Sequence, residues 1–143
     1  MAKVKIEMPA RLPFSTQVAV RIGDVNYGNH VGNDAMVSIL HDCRLQYLAS
    51  LGCTELDFFG AGLIMADLAV TYKGEAFYGD VLNVEVGAAE LGSAGFDLFY
   101  RITTVRNEKT VLITEAKTGM VCFDYNSRKV ARLPEAFKEK TNE

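Results

Sequence analysis

The sequence predicts an α+β domain in which one long, nearly all-apolar helix packs against one curved antiparallel sheet. Three observations predict it. Met36, Leu40, Cys43 and Tyr47 recur at helical spacing. Four later segments alternate apolar and polar residues with the period of a strand. The order is strand, long helix, four strands, short helix, without repeat or linker, so residues 1–143 are read as a single domain.

Pro9 and Pro13 punctuate an N-terminal arm, and a short strand follows over Phe14 to Arg21 with Val18 and Val20 on one side. Gly23 to Asp34, with three glycines and three asparagines, is loop chemistry. The helix then starts with Asn33 as N-cap and Asp34 at the positive end of the dipole, and Gly52 supplies its stop. Val37, Leu48 and Leu51 widen its apolar stripe, and a helix this apolar is normally wrapped by something. A helical turn is expected near Thr54 to Phe59. Ile64, Ala66, Leu68, Val70 and Tyr72 alternate on one side of the next strand, and Leu82, Val84 and Val86 on the one after. Phe96, Leu98, Tyr100, Ile102 and Thr104 form a third run, and Thr110 to Phe123 a fourth. Pro134 sits in the first turn of a short C-terminal helix.

Composition narrows the function. With 49% apolar residues, 23% charged and a formal charge of −3 over 143 residues, disorder is excluded. The longest apolar run, Phe58 to Ala66, falls far short of the roughly 20 residues that span a bilayer, so no membrane role is expected. Fifteen Lys and Arg against eighteen Asp and Glu do not favour nucleic acid as partner. Cys43, Cys53 and Cys122 show no metal-ligand spacing and suit a reducing cytoplasm, and the first residues carry no secretory leader pattern. No cofactor motif is present.

The Gly23–Asp34 loop carries the chemistry. Asp24 and Asn26 share a side if the chain is extended, His30 follows, and the amides of Asn33 and Asp34 at the helix start lack intrahelical partners. Such a positive terminus can hold a developing oxyanion. Arg21 to Asn33, R-I-G-D-V-N-Y-G-N-H-V-G-N, resembles the R-x-x-D-x-D-x-x-G-H-V-N-N signature of hotdog-fold acyl-CoA thioesterases of the 4-hydroxybenzoyl-CoA thioesterase type. The likeness continues in His41-Asp42-Cys43-Arg44, Asp67-Leu68-x-Val70-x-Tyr72, Tyr78-Gly79-Asp80, Cys122-Phe123-Asp124 and Leu133-Pro134-Glu135.

The resemblance implies a hotdog fold, a long central helix wrapped by a five-stranded antiparallel sheet. It also implies a homodimer or tetramer of dimers, with acyl-CoA as substrate at the subunit interface and no cofactor. It departs at one chemical position. In the founding branch the second acid of D-x-D is nucleophile or general base, and here that position is Asn26, whose amide can neither take a proton nor attack. The family's glycine and second asparagine read as Asn29 and Gly32. Asn26 and His30 are therefore expected to position water or carbonyl, with Asp42 or His41 on the helix, or Asp24 on the loop, as base. A Ser38–Asp42 pair one turn apart could hold a water. Asn29, Val31, Asn33 and Asp34 are expected to line the substrate, Arg128 and Lys129 to meet the CoA phosphates, and Arg44 to form an interface ion pair. Asp67 is placed near the dimer seam. Two other functions fit the same residues: a non-catalytic acyl-CoA-binding protein, favoured by Asn26, and a hydroxyacyl-thioester dehydratase, which also pairs a loop histidine with a helix acid.

Overall fold

A computed structural model describes residues 1–141. The elements are β1 (Phe14–Ala19), a 3-10 turn (Ile22–Asp24), α1 (Asn33–Ser50), β2 (Gly62–Tyr72), β3 (Val81–Ala89), β4 (Gly95–Arg106), β5 (Lys109–Asp124), β6 (Lys129–Val130) and α2 (Glu135–Thr141). The sheet is antiparallel with order β1-β3-β4-β5-β2, and the two-residue β6 adds to β5 as a sixth strand that the sequence did not signal. Residues 54–59 form a turn instead of the expected helical turn, closed by Thr54 N–H to Asp57 O (3.0 Å) and Asp57 N–H to Thr54 Oγ1 (2.9 Å).

Helix α1 packs against one face of the sheet. Its N-cap is Gly32, one residue earlier than expected, and the first intrahelical bond is Met36 N–H to Gly32 O (3.0 Å). At the other end Gly52, at φ 82, completes a Schellman closure: Gly52 N–H reaches Ala49 O (3.0 Å) and Cys53 N–H reaches Leu48 O (3.1 Å). Met36, Leu40, Cys43 and Tyr47 are buried against Leu82, Val84, Val86, Leu98, Tyr100 and Ile102, so the apolar stripe is core. Helix α2 closes the base of the core through Phe137, whose ring lies 4.4 Å from Phe96 and 4.8 Å from Phe58.

Strand β2 departs from simple alternation. A bulge between Met65 and Asp67 makes Ala66 the extra residue. Leu63 and Met65 face inward before it, and Leu68, Val70 and Tyr72 after it, so Ile64 does not share their face. Asp67 causes the bulge by turning back on β5: its Oδ1 accepts the Gly119 N–H (2.8 Å), and Lys117 Nζ grips the carboxylate at 2.8 Å and 2.9 Å. Among the described residues no strand lies beyond β2, and Met65, Leu68 and Tyr72 are 44%, 37% and 52% exposed although they face the helix side. That leaves an apolar groove between α1 and the open edge of β2. The N-terminal arm crosses to the same strand: Leu12 and Pro13 press on Gly87 of β3, and residues 1–4 reach Val70–Lys73.

Candidate active site

The loop between the 3-10 turn and α1 is held by its own backbone. Asn26 N–H donates to His30 O (2.9 Å), Asn29 N–H to Asn26 O (3.1 Å), and Gly32 N–H to Asp24 O (3.1 Å). Val31 N–H donates to Ala76 O (2.8 Å), which ties the loop to the segment before β3. Asn29 sits at φ 66, the left-handed region that asparagine tolerates better than other residues with a Cβ, so it can stand where the resembled signature has glycine. At Gly32, whose φ of -68 suits any residue, a Cβ would lie 2.7 Å from Asp34 Oδ1, a contact that a turn of the Asp34 side chain relieves.

These constraints orient two side chains. Asn26 Oδ1 accepts the Gly28 N–H (2.9 Å), so its carbonyl is committed and its Nδ2 is the group left to donate. His30 is half-buried, with Nδ1 3.1 Å from the Val31 carbonyl oxygen. A carbonyl only accepts, so Nδ1 carries the proton and Nε2 of the neutral ring presents a lone pair. Both groups flank Gly28: a Cβ there would stand 3.2 Å from Asn26 Oδ1 and 3.2 Å from His30 Nε2.

His30, Val31 and Asn33 line a cavity of about 370 Å³ with Met36, Tyr72 and Ala76. Tyr72 Oη donates to Asn33 O (3.0 Å) and closes the cavity against β2. Burial and the charge of Asp34 both push its phenol up from its ordinary range, so it stays a donor. The amides of Asn33 and Asp34 have no partner within the helix.

The remaining predicted residues separate around α1. Asp24 and Asp42 line a different cavity, about 370 Å³, between α1 and β1, together with Ser38. Asp42 Oδ1 accepts from Gln46 (3.3 Å) and not from Ser38. His41, Ser38 and Arg44 line a third cavity, about 260 Å³, on the β2 side, together with Val37, Leu40, Met65 and Leu68. Asp42 and His41 thus look to opposite edges of the sheet. Arg44 reaches the cavity wall only at its edge and pairs within its own subunit. It is buried, with Nε 3.5 Å from Glu55 Oε2 and a nitrogen 3.4 Å from Tyr100 Oη, which in turn meets Thr118 Oγ1 at 2.7 Å. Glu55 Oε1 also lies 2.7 Å from His41 Nε2, a contact the sequence did not suggest because fourteen residues separate the two. Arg128 and Lys129 stand at the β5–β6 turn, beside the Gly62 end of β2, whereas the loop lies at its Tyr72 end.

Residues 20–141 match the family described as the Thioesterase-like superfamily. This chain belongs to that superfamily. Within reach of it in sequence is the 1,4-dihydroxy-2-naphthoyl-CoA hydrolase of Synechococcus elongatus, 26% identical over 130 residues, covering 88% of this chain and 93% of that protein. In structure, a 1,4-dihydroxy-2-naphthoyl-CoA thioesterase from Synechocystis superposes with a TM-score of 0.80 at 20% identity, covering 91% of this chain and 96% of that one. An Asp→Asn mutant of 4-hydroxybenzoyl CoA thioesterase, complexed with 4-hydroxybenzoyl CoA, superposes with a TM-score of 0.81 at 17% identity, covering 90% and 97%. The hotdog fold expected of a superfamily member is therefore the fold observed.

Proposed function

We propose that this protein is an acyl-CoA thioesterase that hydrolyses its substrate with an activated water, working as a homodimer in the cytoplasm. The observation that carries the reading is the helix start, where His30, Val31 and Asn33 line one cavity and the first amides of α1 have no partner within the helix. The amides stabilise the oxyanion as water adds to the thioester carbon. Asn26 Nδ2 and His30 Nε2 hold the water or carbonyl in line, and Val31 and Asn29 shape the loop around them.

The base is His41, and it comes from the partner subunit. Two protomers joined antiparallel along their open β2 edges cover the apolar groove and run their α1 helices in opposite directions. That arrangement sets the helix start of one subunit against the middle of the other's helix, on the side that bears His41 and not Asp42. It also brings the partner's Arg128–Lys129 turn to the Tyr72 end of β2, where the charges can meet the CoA phosphates.

Incubation of the purified protein with a panel of CoA thioesters, monitored with a free-thiol reagent, tests the activity. Aroyl esters head the panel because the relatives above are named for aroyl substrates. Thiol release is expected; tight binding with no release points to a non-catalytic binding protein, and water loss from a hydroxyacyl ester to a dehydratase.

A further inference from the structure

We propose that His41 and Glu55 form a catalytic dyad in which Glu55 is a positioning residue that fixes the tautomer of the His41 base; this rests on the thioesterase reading above. The carboxylate oxygen Glu55 Oε1 lies 2.7 Å from His41 Nε2 and can only accept. Nε2 therefore carries the proton, and Nδ1 of the neutral ring keeps its lone pair. The ring is half-exposed and lines the cavity of about 260 Å³ between α1 and β2, with Arg44 and Ser38 among the apolar residues of its wall.

Glu55 is itself held. Its carbonyl oxygen accepts the Leu63 N–H (2.8 Å) at the start of β2, and the Thr54–Asp57 turn braces it from the other side. Behind its second oxygen lies Arg44, 93% of whose side chain is out of solvent and whose Nε has no hydrogen-bond partner among the described residues. Tyr100 and Thr118, from β4 and β5, complete the chain beneath Arg44. Strand β2 contributes Met65 and Leu68 to this cavity and no ionisable group. A histidine that lines a cavity, with one ring nitrogen held by a carboxylate that an arginine holds in turn, has the arrangement that proton transfer requires.

The comparison with His30 is direct. The partner of His30 Nδ1 is a neutral backbone carbonyl at 3.1 Å, which orients the ring without compensating a positive charge. Glu55 does both. In the step assigned to the dyad, the water oxygen bonds to the thioester carbon while Nδ1 takes one of its protons. Collapse of the tetrahedral adduct breaks the C–S bond, and the imidazolium returns the proton to the departing sulfur. Acid and CoA thiol leave, and the dyad is restored.

Glu55→Gln, Glu55→Ala and His41→Ala, each assayed with the best ester of the panel, test the dyad. A glutamine amide can donate to Nε2 and so favour the wrong tautomer, and kcat is expected to fall by about 10²–10⁴ while KM stays within about twofold. His41→Ala is expected to fall at least as far. Nitrogen-15 NMR of the imidazole should report the Nε2-protonated tautomer in the wild type and its loss in Glu55→Gln, a signature that general loosening of the turn would not produce. If His41→Ala keeps full turnover, or if Glu55→Gln lowers only KM or leaves the tautomer unchanged, the dyad is overturned and the thioesterase stands. A wild-type protein that releases no thiol from any ester overturns both.

Discussion

Mixing two inactive variants should restore activity if the base comes from the partner subunit. Asn33 begins α1 and His41 lies eight residues further along it. At 1.5 Å per residue that is about 12 Å, whereas a base must come within roughly 3 Å of the water it activates. A thioester carbon held at the helix start is therefore out of reach of His41 in the same chain. His30→Ala and His41→Ala homodimers should each lose about 10²–10⁴ in kcat. When the two are co-expressed and mix at random, half of the dimers pair one of each. Each mixed dimer has one site with both histidines and one with neither, so about a quarter of the wild-type sites return. A reciprocal mixture sharpens the assay: wild type combined with the double variant should retain about a quarter of full activity if sites are shared between chains, and about half if they are not. Thiol release under saturating ester reads both. Failure of the first mixture to exceed its parents, with retention of half by the second, would refute the shared site.

Three further outcomes follow from the geometry. Asn26→Asp keeps the Gly28 N–H bond but loses the Nδ2 donor, and kcat should fall about tenfold, the worth of one positioned hydrogen bond; a rise would show that the loop can still use an acid. Asn29→Val forces a β-branched residue to φ 66 and should cost about 1–3 kcal/mol in a urea melt, while Asn29→Gly should leave the midpoint unchanged. Asp80 is pushed up by partial burial, but the Arg106 guanidinium at 2.6 Å and the Phe77 N–H at 2.8 Å outweigh this and hold its carboxyl below the ordinary 3.8. Its contribution is present above pH 3.8 and is lost as pH falls through the lower folded value, so urea midpoints of Asp80→Asn and wild type should converge at the acid end.

The fold was legible wherever one period ran unbroken. The α1 stripe, its stop at Gly52 and the inward row of β4 all follow from residue spacing, because packing on one face leaves a regular trace. Strand β2 was legible in extent but not in phase. Its parity resets at Ala66 because Asp67 bends to a backbone N–H on β5, a contact with a residue 52 positions away. The loop residues stood out as a candidate site because asparagine, glycine and histidine cluster there with no core to build. His41 and Asp42 were not separable by pattern. Adjacent helix residues differ by about 100° in direction, and which of them faces the open edge is set by how α1 seats on the sheet. Glu55 left no signal at all, since its partner is reached only after the chain has turned back from α1.

That separation bears on why the loop can do without an acid. Asn26 retains the part of the aspartate's job that geometry demands: its Oδ1 still takes the Gly28 N–H, and the loop keeps its closure onto Val31 and Ala76. What the amide gives up is charge and proton affinity, and both are present on the far side of the groove, in Glu55 and His41. A carboxylate at position 26 would sit beside His30, where a negative neighbour favours the imidazolium and so occupies the Nε2 lone pair. The neutral amide keeps that lone pair available. In the proposed mechanism, Asn26 and the helix histidine are then two halves of one arrangement, in which the loop would bind and the partner's helix would move the proton. On this reasoning Asn26→Asp combined with His41→Ala should recover no turnover over His41→Ala alone, and a higher rate would show that the loop still holds the water where an acid can use it.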